Sequence, residues 1–106
     1  MNHRIRTAAM ILLAAAIAAP AFAQSAGADT YKAKCAMCHG PDGTASTPTG
    51  KAMKVPSFKE AAAVKESDAD LIATTKNGKG KMPAYAGKLT DAQIREVVSF
   101  IRTLQK

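Results

Sequence analysis

Tryptophan is absent from this sequence, and only five other aromatic residues occur in 106 positions. A chain so poor in large apolar side chains builds a thin core of its own. Cysteine occurs twice, at Cys35 and Cys38, and histidine twice, at His3 and His39. Two cysteines three residues apart exclude a disulfide framework, because so short a loop restrains almost nothing in the unfolded chain. A closed zinc site needs about four ligands, and once His3 is set aside with an expected signal peptide, two Cys and one His remain. No apolar run approaches the roughly 20 residues of a membrane-spanning helix. No stretch alternates cleanly as a strand, and there is no repeat or sustained heptad.

The longest apolar run covers 12 residues, Ala8–Ala19, preceded by Arg4 and Arg6 and followed by Pro20. Ala21-Phe22-Ala23 then gives the small-x-small pattern that signal peptidases accept. Residues 1–23 are therefore expected to be a signal peptide cleaved after Ala23, which leaves one domain over 24–106. Ile5 separates the two arginines, so the general export route fits better than the twin-arginine route. The formal net charge is +7, and loss of Arg4 and Arg6 leaves 13 Lys+Arg against 8 Asp+Glu, or +5. A basic exported chain can meet anionic lipid, nucleic acid or an acidic protein, and charge alone does not choose.

What remains is helical in pattern. Gly27, Ala28, Tyr31, Cys35 and Cys38 recur at helical intervals and predict a first helix over Ala26–Met37, stopped by Gly40-Pro41-Asp42-Gly43. Thr44–Pro56 is expected to be an irregular loop, with Pro48 and Pro56 excluding regular structure. Ser57-Phe58-Lys59-Glu60 reads as a capping box opening a short helix to about Val64. Ser67 caps a further helix, with Asp68 and Asp70 in its first turn, Leu71 and Ile72 on its buried side and Asn77-Gly78 as its stop. A second loop, 78–88, holds Met82-Pro83. Thr90-Asp91-Ala92-Gln93 is another capping box, opening a helix to Leu104 with one apolar stripe of Ile94, Val97, Val98, Ile101 and Leu104. The fold class is all-α, about four short helices with long functional loops.

The most specific pattern is Cys35-Ala36-Met37-Cys38-His39. On a helix, residues three and four apart share a face at about 5–6 Å. Both sulfurs can then add to the two vinyl groups on one porphyrin edge, and the imidazole four residues after Cys35 can bind the iron. A dithiol redox motif would sit at a helix start after a strand, and no strand is read here. A nucleophilic cysteine would want a histidine outside the motif, and the expected mature chain has none. The pattern thus predicts one covalent haem c on Cys35 and Cys38, with His39 as an axial iron ligand. Two haem propionates would bring the net charge to about +3.

A thioether opposite His39 would favour reduced iron. Met1 and Met10 fall in the expected signal peptide, and Met37 points away from the motif's ligand side. Of Met53 and Met82, the second lies in Lys79-Gly80-Lys81-Met82-Pro83-Ala84-Tyr85, where Pro83 stiffens the backbone and Gly80 permits close approach. Met82 is the expected second axial ligand, and Met53 is its rival.

Taken together, these residues resemble the class I cytochromes c, the small monohaem type of bacterial periplasms related to photosynthetic algal-type carriers. The order of attachment motif, Met-Pro loop and closing amphipathic helix matches over the whole expected domain. The resemblance implies that the first and last helices cross, with Gly27 and Tyr31 meeting Val97 and Phe100. It also implies that the Pro56 carbonyl holds the His39 imidazole, that Phe58 is an apolar haem contact, and that Tyr85 packs near the haem or a propionate. The implied role is an electron carrier, not an enzyme, working as a monomer in the periplasm. Its expected partners are redox proteins, with acidic docking surfaces drawn to Lys32, Lys34, Lys51, Lys54, Lys79, Lys81 and Lys88. Nucleic acid is not expected, and membranes are met only through partners. Two other roles stay open: a subunit or domain of a larger oxidoreductase complex, or an open-site sensor or enzyme if Met82 is not a ligand.

A domain of this size leans on its cofactor for a core. The double variant Cys35→Ser with Cys38→Ser is expected to leave a largely unfolded chain by circular dichroism. A compact chain with a cooperative melt would contradict that expectation.

Overall fold

In a computed structural model, the structure describes residues 19–106, with side chains from Ser25 onward. The expected signal peptide lies outside the described residues except for the backbone of 19–23, which forms the start of the first helix. Six helical segments follow one another: α1 (Ala19–Lys34), α2 (Ala36–His39), α3 (Pro48–Ala52), α4 (Ala61–Lys65), α5 (Asp68–Asn77) and α6 (Asp91–Leu104). Among the described residues, β pairing is limited to two isolated bridges, Lys79 with Met82 and Ala86 with Leu89. The all-α expectation holds, with more helical segments than the four expected.

The added segments have local causes. The first helix does not run unbroken to Met37. It ends at Lys34, and a turn at Cys35 leads into α2. The 44–56 stretch is not wholly irregular, because Pro48 starts α3 instead of forbidding it. Pro48 stands in the first helical turn, where its missing N–H costs nothing. Thr47 is the cap, its hydroxyl accepting from Gly50 N–H at 2.9 Å. The box expected at Ser57–Glu60 does not form. Ser57 Oγ takes the Lys59 amide at 3.1 Å, and α4 starts one turn later with Glu60 as its cap. Ser67 caps α5 through the Asp70 amide at 3.1 Å, and Gly78 closes it at φ 75°. Both bonds of the Thr90–Gln93 box are present, at 3.1 and 2.9 Å.

The core sits where α1 crosses α6. Ile94, Val97, Val98 and Ile101 are buried along α6, as the apolar stripe predicts. Tyr31 and Val97 are only 2% and 1% exposed, and Cys35, Ala36, Phe58, Phe100 and Leu104 pack around them with Ile101. The Tyr31 and Phe100 rings lie 5.1 Å apart and tilted by 58°, within the range where aromatic pairs attract. Gly27 makes the crossing close. A Cβ there would overlap the Glu96 carbonyl and sit 3.2 Å from Phe100 Cβ.

Arg102 departs from the surface role that its position off the stripe suggests. Its guanidinium donates to Asp68 Oδ1 at 2.8 Å, to Gln105 Oε1 at 2.9 Å, and to the Glu66 carbonyl. One side chain thereby ties the end of α6 to the α4–α5 junction.

Gly27→Val is expected to lower the stability of the holoprotein by about 1–3 kcal/mol, read from the denaturant midpoint. Ala33→Val, on an exposed position of the same helix, should cost much less.

Candidate haem-attachment site

The site begins at the break between α1 and α2. Cys35 takes φ −118° and ψ −33°, and its carbonyl accepts from both Cys38 N–H (3.3 Å) and His39 N–H (3.0 Å). The motif therefore keeps the one-turn spacing read from the sequence while belonging to a separate short helix. Gly40, at φ 79°, turns the chain away immediately after His39. The Tyr31 hydroxyl fastens that turn by donating to the Gly40 carbonyl at 2.6 Å. Burial, with smaller contributions from Cys35 and Asp42, raises the Tyr31 pKa well above its usual range, so it stays a donor.

Both cysteines are free and half-buried. Burial first, and then Cys38, pushes the Cys35 thiol up to about 11. That is the opposite of the lowered pKa of a reactive redox or nucleophilic cysteine. Among the described residues, no group of three or more His, Cys, Asp and Glu side chains is placed to hold a metal ion.

His39 lies on Phe58, ring centroids 4.4 Å apart and planes within 13°. Burial holds its pKa below the usual value, which favours the neutral imidazole, the form that binds metals. Its Nδ1 is buried and has no hydrogen-bond partner, an arrangement that is costly unless something at the site compensates. Two thiols and a neutral imidazole within one turn suit a covalently attached haem in donor type and number.

The surroundings are built by residues that the sequence reading did not single out. The Thr47 hydroxyl that caps α3 also donates to the Met37 carbonyl at 2.6 Å. Gly50 lies so close to the Cys38 carbonyl that a Cβ would overlap it. Together they seat α3 against the attachment turn. The signal was present as Thr47-Pro48, a cap followed by a first-turn proline. Phe58 is held by its amide, which donates to the Gly43 carbonyl at 2.9 Å, and Gly43 leaves room for its ring. Pro56 is exposed, two residues before Phe58.

Met82 is half-buried, whereas Met53 and Met37 are 36% and 75% exposed. Lys79 and Met82 exchange main-chain hydrogen bonds of 3.1 and 2.9 Å around Gly80, at φ 56°. Gly78 lets this loop fold back against the end of α5, where a Cβ would meet the Met82 carbonyl at 2.7 Å. Tyr85 stands beside the attachment turn. Its hydroxyl donates to the Lys34 carbonyl at 3.0 Å, and its pKa is raised by burial and then by Cys35 and Cys38. The seven lysines named above are all exposed.

The sequence matches the protein family described as cytochrome C oxidase, cbb3-type, subunit III, over residues 22–101. The chain belongs to the class I c-type cytochromes. It is 37% identical over 93 residues to a cytochrome c6 of a Picosynechococcus species, covering 81% of this chain and 79% of that one. A cytochrome c6 of Leptolyngbya boryana is 32% identical over 80 residues, covering 73% of this chain and 87% of the relative. The solved structure of the c-type cytochrome KustC0563 superposes with a TM-score of 0.70 at 29% identity, covering 76% of this chain and 98% of that one. This cytochrome therefore carries haem c and is an electron carrier, not an enzyme. Among the described residues, no helix is long and apolar enough to cross a membrane.

Proposed function

We propose that Cys35 and Cys38 hold one haem c as thioethers, that His39 and Met82 are its two axial iron ligands, and that the chain shuttles single electrons between periplasmic or membrane redox proteins. The attachment turn carries this reading: two free, half-buried thiols and one half-buried imidazole follow one another within a single turn, Cys35 to His39. When bound, haem c supplies a one-electron iron couple. The residues of the chain hold it, cover it and set its environment. Met82 offers a soft thioether, which favours the reduced metal and raises the potential. Pro83 keeps the Met82 backbone out of helical geometry and its loop stiff.

His39 Nδ1 has no partner in the structure; in the haem-bound chain the Pro56 carbonyl is its proposed acceptor, a bond that would fix the ring and raise its basicity. Phe58, two residues after Pro56, stacks on His39, which keeps this segment of the chain close to the imidazole. Phe58 also presents an apolar wall, which keeps water from the ligating side. With both axial positions taken by side chains, an open-site sensor or enzyme role is disfavoured.

Export with cleavage after Ala23 would leave the domain 24–106 in the periplasm, acting as a monomer. Redox partners with acidic docking surfaces fit the exposed lysines near the attachment turn and the Met82 loop. Nucleic acid is not a partner in this reading, and membranes are met only through partner proteins.

The red-region absorption band of Met–iron(III) ligation tests the ligand assignment. It is expected to vanish in Met82→Ala and to persist in Met53→Ala, and the reverse pattern would overturn the assignment. Association rates with a redox partner are expected to fall steeply as salt rises from about 0.01 to 0.15 M. A flat response would reject steering by the lysines.

A further inference from the structure

We propose that the Tyr85 hydroxyl is a positioning group that latches the Met82 loop to the helix end carrying Cys35, and so governs how readily Met82 leaves the iron. The inference rests on the reading of Met82 as an axial ligand.

The latch exists because α1 breaks. In an unbroken α-helix the Lys34 carbonyl would accept from the amide four residues on, that of Cys38. Cys38 N–H turns instead to the Cys35 carbonyl, at 3.3 Å. The Lys34 carbonyl is thereby freed at the last residue before the attachment motif, and the Tyr85 hydroxyl takes it at 3.0 Å across 51 positions of sequence.

The other anchors of the loop lead elsewhere. Tyr85 N–H donates to the Thr75 carbonyl at 3.0 Å, and Ala86 N–H to that of Lys76 at 3.1 Å. Upstream, the Lys79–Met82 pair closes the loop on itself. These bonds fasten the loop to the end of α5. Among the hydrogen bonds of the described loop, only that of the Tyr85 hydroxyl reaches the segment bearing Cys35, Cys38 and His39. A loop fixed to α5 alone is free to open locally without unfolding the α1–α6 core. The hydroxyl couples that opening to the attachment helix.

Tyr85→Phe removes this bond and keeps the ring and its packing. Stopped-flow binding of imidazole to the ferric holoprotein reads the opening, because the added ligand must wait for Met82 to leave. Losing one hydrogen bond is expected to speed binding about two- to tenfold. The denaturant midpoint should fall only slightly, because a single bond is lost from the folded state. An unchanged imidazole rate would overturn the latch, as would an equal acceleration in Ile101→Val, which weakens the α1–α6 core and leaves the Tyr85 bond in place. The wild-type spectrum separates this failure from that of the underlying reading. If the red Met–iron(III) band is present and the rate does not move, the latch alone is wrong. If wild type and Met82→Ala both lack the band, the ligand assignment falls and the latch with it.

Discussion

The Tyr31 side chain joins the two halves of this molecule. Its ring fills the α1–α6 crossing against Phe100, and its hydroxyl donates to the Gly40 carbonyl. The first contact belongs to the core, and the second fixes the turn that follows His39. A buried hydroxyl without an acceptor would carry a desolvation cost of about 1–3 kcal/mol, so the attachment turn and the helix crossing are energetically linked. Gly27 serves the same crossing one turn earlier, by letting α1 approach the backbone of α6. The position of the motif is thus inherited from helix packing, not set by the loop around it.

Much of this was legible in the residues. The α6 stripe and its capping box are strong local signals whose burial and hydrogen bonds agree with the pattern. The five-residue motif identifies its own chemistry, because few uses of cysteine and histidine require that spacing. Loops were read less well. Pro48 looked like a breaker although it stands where a helix tolerates proline best, and Ser57 found a nearer amide than the box required. Both errors concern choices between neighbouring hydrogen-bond partners, which composition does not decide.

Long-range polar contacts were illegible for a different reason. Arg102 reads as a surface cation, yet it gathers the α4–α5 junction through Asp68 and the Glu66 carbonyl. Thr47 reads as one polar loop residue among several, yet it joins the α3 cap to the Met37 carbonyl. Apart from the Asp68 carboxylate, these acceptors are main-chain carbonyls, which every residue has, so the sequence holds no mark of which one is used. Sites made from side-chain identity can be read ahead of the fold, whereas sites made from backbone groups appear only with it.

The break at Cys35 has a mechanical meaning. Cys35 is the joint between two helical segments, and Cys38 lies beyond it on the second. A rigid group bonded to both sulfurs would span that joint like a splint. The bend that frees the Lys34 carbonyl would then be locked covalently as the cofactor goes on. In this reading attachment fixes the angle of the amino-terminal arm, so that the order of assembly and the shape of the finished carrier share one hinge.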